Sequence, residues 1–316
     1  MVYPRRTFVT TFLAAAAACR PVSAQQLKSL KIIAPANPGG GYDQLARAIQ
    51  DALNAEKVAS GVQVTNIIGG GGTIGLAQFV TSKERDPVLL VAGLGMVGAI
   101  ITNKAAVSLD QVTPLARLQG EYQPLFVSAS SPIKTLDDLL SKFKENPGSV
   151  SWGGFAPGSP DHILSGLVVK GAGGDVKKMN YSTGGEMLPL VMSGKVTVAT
   201  GGLNEVAGQF KAGKLRAIGI SSPDRLPGVD IPTFKEQGLD VTLVNWRGLM
   251  APSTISASDK QVVEDAIRKM TESETWKKTL QQREWIGLYM PSTEFATFVK
   301  EEQARIGAIL KDLGLA

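Results

Sequence analysis

Clusters of adjacent glycines interrupt this chain where apolar segments give way to helical patterns. Four clusters form turns before predicted helices, at residues 37–43, 69–73, 155–161 and 182–186. A helix begins with backbone N–H groups that lack intrahelical partners and with a partial positive charge, and glycine lets a ligand approach them closely. Turns of this kind are suited to binding an anion, above all a carboxylate, without an arginine clamp. Hydroxyl donors at the same positions are Ser159, Ser182 and Thr183.

A simpler explanation exists for each glycine, because tight turns between strands and helices also need it. Four turns in comparable positions favour ligand binding over turn geometry alone. His162, the only histidine, is expected to pack or to contact ligand rather than act as a general base. Capping is the default role of Asp43 and Asp161 at helix starts. The candidate ligand-binding residues are Asn37, Gly39, Gly40, Gly41, Tyr42, Asp43, Gly72, Thr73, Gly158, Ser159, His162, Ser182, Thr183, Gly184, Asn204 and Arg247.

The elements that must position these residues alternate between strands and helices. Buried strands are predicted at 30–36, 62–68, 88–93, 124–129, 149–154, 178–185, 195–202 and 215–221. Helices follow most of them, including one over 135–148 and one beginning at Glu186, and two long amphipathic helices are predicted near 259–283 and 293–313. This alternation is typical of an α/β fold with mostly parallel sheets and helices on both faces.

The pattern restarts near residue 124, which favours two similar lobes over one long sheet. We assign residues 25–123 and 223–316 to lobe 1 and residues 124–222 to lobe 2, with the tail helices packed on lobe 1. Two α/β lobes joined by two strands form a hinged clamshell. Its cleft lies at the carboxyl ends of the strands, where α/β sheets bind ligands.

Residues 1–24 are predicted to be an export signal cleaved after Ala24, which places the mature protein in the periplasm. Arg5 and Arg6 precede an apolar stretch that is too short to span a bilayer, and small residues follow it. Twin-arginine and general export both remain open. Cys19, the only cysteine, is a poor site for lipid attachment, and a chain cut after Ala24 has no cysteine.

Composition excludes several classes of function. Removing the leader leaves 30 basic and 28 acidic side chains, about +2, and no basic run suggests nucleic-acid binding. One histidine cannot supply a His-rich metal site, and G-x-S-x-G is absent from the sequence. Two matches to G-x-G-x-x-G, starting at Gly70 and Gly93, keep an exported nucleotide-dependent oxidoreductase or hydrolase as the competing hypothesis. We expect no cofactor.

The turn ANPGGGYDQLAR (36–47) resembles the extracytoplasmic receptors of the tripartite tricarboxylate transporter family. The resemblance continues in order through residues 69–80, 151–167, 180–196, 212–241, 245–252 and 301–315. It implies a non-enzymatic receptor with the two-lobe, Venus-flytrap fold of periplasmic binding proteins, which delivers a small carboxylate to a membrane permease. We expect the receptor to be a monomer. In this family, ligand carboxylates are held by residues that correspond here to Asn37, Gly39, Gly40, Gly41, Tyr42, Asp43, Gly158, Ser159, Ser182 and Thr183.

One departure bears on the ligand. Many members have a Pro-Tyr-Lys-Gly type sequence where this chain has Tyr-Ser-Thr-Gly-Gly-Glu at 181–186. That form, with Asn-Trp-Arg-Gly at 245–248, resembles the branch associated with tricarboxylates, so a citrate-like ligand is favoured while dicarboxylates and aromatic carboxylates stay open. The glycine turns contain no cation, and Arg247 is the candidate partner of a third carboxylate. A structural ion pair is the equal alternative for Arg247.

Overall fold

The computed structural model describes residues 27, 29–82, 87–184 and 187–316. The predicted leader with Cys19 lies outside these residues, and so does Glu186. The strands are β1 (Leu30–Ala34), β2 (Val62–Asn66), β3 (Val88–Gly93), β4 (Val112–Tyr122), β5 (Pro124–Ser128), β6 (Ser151–Gly154), β7 (Asn180–Thr183), β8 (Val198–Thr200), β9 (Leu215–Ile220), β10 (Val244–Pro252) and β11 (Ile286–Pro291). The α-helices are α1 (Gly41–Ala55), α2 (Thr73–Thr81), α3 (Leu94–Thr102), α4 (Leu136–Glu145), α5 (Pro160–Gly171), α6 (Met187–Met192), α7 (Leu203–Lys211), α8 (Ala257–Glu272), α9 (Glu274–Gln282) and α10 (Ser292–Asp312).

The strands form two sheets, and the predicted two-lobe α/β fold is confirmed. The first sheet has the order β11-β4-β10-β3-β1-β2, and the second has the order β7-β6-β8-β5-β9. Both sheets are mixed rather than mostly parallel. β10 lies antiparallel between β3 and β4, and β5 lies antiparallel between β8 and β9. The alternation of strand and helix predicted only the parallel part of each sheet.

Three strands of the first sheet, β4, β10 and β11, were missed from the sequence. β10 is buried at almost every position, and Trp246 packs edge-on against Phe295 and Phe298 of α10. A strand buried on both faces has no alternation of polar and apolar residues, so its pattern is indistinguishable from that of a buried helix segment. The strand that carries Arg247 therefore has only a weak signal in the sequence.

Local capping explains where several helices begin. Thr135 and Asp138 form a capping box at α4, which confirms the helix predicted over 135–148. The single helix predicted near 259–283 is instead two helices, because Ser273 ends α8 and its hydroxyl accepts a hydrogen bond from the Trp276 N–H at the start of α9. Within the described residues, no helix combines the length and hydropathy needed to cross a bilayer.

The chain passes between the sheets twice, and Ser221 joins the two passages. The first passage is Gln123, between β4 and β5. Its backbone N–H donates to Ser221 Oγ (2.9 Å), and Ser221 Oγ donates to the carbonyl of Leu243 (2.7 Å), just before β10. Ser221 is fully buried. One hydroxyl therefore ties both connecting segments at a single point.

The segment between β9 and β10 packs on the second sheet. Phe234 lies against Gly219 of β9, and Leu239 and Val241 lie against Gly171 of α5. We infer that the second passage lies at Leu243 and Val244, about twenty residues after the predicted crossing. The lobe boundaries themselves stay a proposal.

The C-terminal helix α10 contacts both lobes. It packs along β4 and α3 of the first sheet, and its end reaches α5 beside the second sheet. There Leu313 lies against Gly166, and Lys170 pairs with Asp312 (2.5 Å). The tail helices thus pack on the first sheet, while α10 also spans to the second lobe.

Ser221→Ala should lower the free energy of unfolding by about 1–3 kcal/mol, because it leaves a buried N–H and a buried carbonyl without their hydrogen-bond partner. Ser222→Ala is the matched control. Ser222 is equally buried, but its hydroxyl has no partner among the described residues, so its removal should be close to neutral. Urea unfolding of both variants measures the difference. Equal losses would show that the Ser221 hydroxyl does not hold the two passages together.

Candidate functional site

The first-lobe turn presents the start of α1 without a side-chain cap. Gly40 is the N-cap residue, and no side chain bonds to the first N–H groups of the helix. The Gly39 N–H donates to Asp43 Oδ2 (2.8 Å), and the Gly40 N–H donates to the Asn37 carbonyl. The N–H groups of Gly41 and Tyr42 have no acceptor among the described residues. They are therefore the donors that the turn offers to an anion.

The Asp43 side chain anchors this turn from within. It is buried and accepts hydrogen bonds from Arg47 Nε (2.9 Å), Asn66 Nδ2 (2.8 Å) and the Gly39 N–H. Burial opposes ionisation of Asp43, but these hydrogen bonds outweigh it and lower the pKa. Because donors already surround the carboxylate, the Asp43 side chain stabilises the turn. Only the backbone N–H of Asp43 is left at the helix start.

The backbone of the second glycine cluster, residues 69–72, lies against Tyr42. Gly69, Gly70, Gly71 and Gly72 all have positive φ, a conformation that favours glycine. A side chain at Gly72 would meet Met96 and the Tyr42 ring. The Thr73 hydroxyl donates to the Gly70 carbonyl (2.9 Å), so it closes the turn. The Tyr42 hydroxyl is buried beside Gly95 and Met96, and burial raises its pKa to about 12.

Arg247 lies directly under the start of α1. A side chain at Gly41 would overlap with the Arg247 guanidinium, so only glycine allows this approach. Arg247 pairs with Glu121 on the neighbouring strand β4 (2.7 Å), and Asn245 Nδ2 also donates to Glu121 (3.1 Å). Arg247 and Glu121 are 8% and 3% exposed. Burial disfavours the charge on Arg247, but Glu121 outweighs it and raises the arginine pKa.

The second-lobe turn closes against α3 of the first lobe. Ser159 caps α5 by accepting from the His162 N–H (3.4 Å), with Pro160 in the first helical position. Gly158 has φ +73°, and its carbonyl lies so close to Gly98 that a side chain there would overlap with it. The Thr102 hydroxyl of α3 also donates to the Pro157 carbonyl (3.4 Å). The two lobes therefore touch at this point.

Asp161, in the first turn of α5, lies where the two lobes meet. Its carboxylate accepts from Gln123 Nε2 (2.5 Å) and from the Phe155 N–H (2.8 Å). Burial raises the pKa of Asp161 to about 7, and the carboxylates of Glu205 and Glu121 add to the rise. Asp161 is therefore an acid that titrates near neutral pH inside the cleft.

His162 stacks on the Tyr181 ring, with 3.8 Å between centroids and 6° between planes. Burial lowers the pKa of His162 to about 4, so the imidazole is neutral at pH 7. The same burial raises the pKa of Tyr181, whose hydroxyl lies between Gly154 and Asp161. The stacked pair is neutral and lies beside Asp161, so His162 packs on Tyr181 in this structure, and its predicted contact with ligand stays a prediction.

The start of α7 approaches the first lobe. Asn204 Nδ2 lies 3.4 Å from Gln44 Oε1 of α1, so a hydrogen bond crosses the cleft. Glu205 is exposed to solvent, yet charges from both sheets act on it. Partial burial by the cleft walls and then the Glu121 carboxylate raise its pKa, against the lowering effect of Arg247. Solvent reaches this carboxylate through the open side of the cleft.

The predicted site residues fall into three groups, with Asn37 and the stacked His162 outside them. Around the start of α1 the structure brings together Gly40, Gly41, Tyr42, Asn204 and Arg247. A turn-forming group, Gly39, Asp43, Gly72, Thr73, Gly158 and Ser159, shapes the backbone around them. The edge strand β7 ends with Ser182 and Thr183, and Gly184 follows it. Within the described residues, the side chains of Ser182 and Thr183 make no hydrogen bond to the first-lobe turn. The exposed Asn37 contributes its carbonyl to the turn.

Three polar residues of the cleft were missed as site residues. Glu121 lies near the end of β4 and Gln123 directly follows that strand, in a stretch flanked by apolar runs, and Glu205 follows the glycine pair at 201–202. A charged residue between two apolar runs is the signal that could have pointed to Glu121, because such a residue is buried only with a partner. The glycine pair before α7 is a fifth turn of the kind that predicted the site.

The two G-x-G-x-x-G matches serve packing. Gly75 lies against Pro35, Gly95 against Tyr42 and Pro160, and Gly98 against Gly158. Each glycine leaves room for a close neighbour, so the space beside it is filled by protein. In the part of the chain that the structure describes, no group of three or more His, Cys, Asp or Glu side chains is placed to hold a metal ion.

Two α/β lobes joined by two connecting segments, with uncapped helix starts facing a cleft, define a solute-binding protein. Solved structures of this kind share the fold. A Rhodopseudomonas palustris protein with adipate has a TM-score of 0.80 at 20% identity and covers 91% of this chain and 97% of its own. R. palustris MatC with bound malate has a TM-score of 0.75 at 22% identity and covers 90% and 99%.

The chain belongs to the tripartite tricarboxylate transporter receptor family. The model described as "Tripartite tricarboxylate transporter family receptor" matches residues 45–315. Protein BugT of Bordetella pertussis is 28% identical over 251 residues, which cover 76% of this chain and 76% of BugT. The family consists of periplasmic solute-binding receptors, so the prediction of a receptor rather than an enzyme is confirmed.

Arg247→Met should lower the free energy of unfolding by about 3–5 kcal/mol, because it leaves the buried Glu121 carboxylate without its cation. Urea unfolding measures the loss, and adding Glu121→Gln should recover part of it. Arg225→Met is the control, since its pairs with Asp230 and Glu236 are exposed and worth less than about 1 kcal/mol. A loss no larger than that of the control would contradict the assignment of a buried pair.

Asp161 should make the protein less stable as pH rises from about 4 to 7. Its pKa is about 7 in the fold against an ordinary value of 3.8, so the fold binds the proton more tightly than the unfolded chain does. Stability from this proton is complete below the unfolded pKa and is lost as pH rises through the folded pKa, at no more than about 1.4 kcal/mol per pH unit. Asp161→Asn should flatten that slope in urea unfolding between pH 5 and 7.5. Parallel curves for the two proteins would refute protonation of Asp161.

Proposed function

We propose that this protein is a periplasmic receptor that captures a small carboxylate in its cleft and delivers it to the permease subunits of a tripartite tricarboxylate transporter. The observation that carries the proposal is the start of α1. There the N–H groups of Gly41 and Tyr42 lack acceptors among the described residues and lie against Arg247. Membership of the receptor family supports both the location and the permease as partner.

The physical basis is an anion site made mainly of backbone. A helix start contributes about 0.3–1 kcal/mol to binding an exposed anion and up to about 2 kcal/mol when partly buried. The guanidinium beneath Gly41 adds positive potential at the same place. Adipate and malate, which two proteins of the same fold hold, are dicarboxylates, and this supports a carboxylate as the ligand class.

The geometry favours ligands with one or two carboxylates over a citrate-like tricarboxylate. The tricarboxylate preference came from the resemblance at 181–186 and 245–248, and Arg247 was the candidate to supply a full positive charge to a third carboxylate. In the fold, the Arg247 charge is shared with Glu121, and Glu205 and Asp161 lie close by. A third carboxylate would meet like charges there. Dicarboxylates and aromatic carboxylates remain within the proposal.

Gly40→Asp should weaken binding of every carboxylate by at least about tenfold, which corresponds to 1.4 kcal/mol. Gly40 has φ −70° and ψ 164°, a backbone conformation open to any residue, although a side chain there would lie 3.1 Å from the Asn37 carbonyl. An aspartate would cap α1 with its own carboxylate, and this hydrogen bond should offset the close contact. The variant should therefore be as stable as the wild type. Calorimetric titration with succinate, malate, adipate, benzoate and citrate measures the affinities, and thermal unfolding measures the stability.

Gly40→Asn is the matched control. It fills the same space and caps the helix without a negative charge, so it should weaken binding less than Gly40→Asp does. Unchanged affinity in Gly40→Asp would exclude the α1 turn as the carboxylate site. A carboxylate at 100 times its dissociation constant stabilises the fold by about 2.7 kcal/mol. The receptor proposal itself fails if ligand-stripped wild-type protein shows no thermal shift with any carboxylate.

A further inference from the structure

Three acidic side chains lie close enough in the cleft for their charges to act on one another, and the Arg247 guanidinium lies beside one of them. Glu121 lies on β4, Glu205 in the first turn of α7 and Asp161 in the first turn of α5, so the set spans both lobes. The charges of Glu121 and Glu205 both act on Asp161, and those of Glu121 and Arg247 act on Glu205. Arg247 pairs with Glu121 alone. Within the described residues, Glu205 has no ion-pair partner.

The same place holds hydrogen-bond acceptors that lack donors. Gln123 is 2% exposed, and its amide N–H donates to Asp161, while Oε1 of the same amide has no partner among the described residues. Asn204 Oδ1 is also buried without a partner. It lies near Glu121, since both reach within about 3 Å of the point where a side chain at Gly202 would begin. Buried polar atoms are normally hydrogen-bonded, so these acceptors point to a donor that the protein does not supply.

An ammonium group fits this deficit, because it carries a positive charge and three N–H donors and has no acceptor. Resting on the proposed function, we propose that the ligand carries an ammonium group next to its carboxylate: the carboxylate binds the α1 start beside Arg247, and the ammonium binds Glu205, Asn204 and Gln123. The two subsites are adjacent, since Arg247 touches both Gly41 and Glu121. The ligand is therefore a short amino acid with the amino group a few atoms from the carboxylate.

Charge favours this arrangement over its alternatives. A zwitterion places each of its charges against the opposite sign, whereas a carboxylate that reaches Glu205 meets a like charge. Binding the ammonium would also relieve the crowding of like charges that raises the pKa of Glu205. A bare metal ion is disfavoured, because the described residues offer no cluster of three metal-ligating side chains.

Calorimetric titration with matched pairs of ligands tests the proposal. The pairs differ only by the amino group: β-alanine and propionate, 4-aminobutyrate and butyrate, and L-glutamate and glutarate. In ligand-stripped wild-type protein, at least one amino compound should bind ten times more tightly than its partner without the amino group. Glu205→Gln keeps the shape of the side chain and should reduce that ratio at least tenfold. Glu145→Gln, an exposed residue at the end of α4, makes the same change of charge and should leave the ratio unaltered.

Each outcome decides between the two proposals. If the compounds without an amino group bind as tightly as their partners, or if Glu205→Gln leaves the ratio unchanged, the ammonium subsite is wrong and the carboxylate receptor stands. If no compound of either kind binds, the receptor proposal is wrong, and so is the ammonium subsite that rests on it. Thermal unfolding of Glu205→Gln is expected to match the wild type, since the side chain is exposed, and this separates loss of recognition from loss of folding.

Discussion

The buried pair of Arg247 and Glu121 is the interaction on which the rest of the cleft depends. Removing two charges from water is costly, and their attraction repays that cost only with close geometry and further hydrogen bonds. Here β10 and β4 lie side by side to bring the two together, Asn245 adds a hydrogen bond to Glu121, and Gly41 leaves room for the guanidinium. A buried pair contributes little net stability, but it fixes where its neighbours must lie. The start of α1, the strand register and the inner end of the cleft are all positioned by that requirement.

The site that results is made of backbone on one side and of side-chain acceptors on the other. Helix starts bind an anion without a flexible cationic side chain, so the donors lose little conformational freedom when ligand binds. The acids and amides opposite them are held by α5, α7 and the passage at Gln123. Because α5 and α7 belong to the second lobe and α1 belongs to the first, the acceptors face the backbone donors only when the lobes approach. Recognition of the ligand and approach of the lobes are thus coupled through the same residues.

The sequence was informative where the signal was local. Glycine turns, apolar runs and capping residues predicted β1, α1, the strands of the second lobe and the two-lobe fold, because each of these signals lies within a few residues of the element that it defines. The Arg247–Glu121 pair could not be predicted from the sequence, because the two residues are 126 positions apart and lie on strands without alternation of polar and apolar residues. Asp43, in α1, was predicted to bind ligand, but its carboxylate is bonded to Gly39, to Arg47 and to Asn66 on the distant strand β2. Whether a buried polar residue binds ligand or protein depends on partners that are distant in the chain.

The contact between Gly98 and the Gly158 carbonyl has a consequence for the size of ligand that the cleft can enclose. The two backbones are in direct contact at this point, and the lobes can come this close only because Gly98 has no β-carbon. A single methyl group at residue 98 would act as a spacer and leave a wider closed cleft. A narrower cleft would instead require α3 and α5 to come closer than their backbone contact allows. The fold can therefore adapt to larger ligands in one mutational step, whereas adaptation to smaller ligands requires filling the cleft with new side chains.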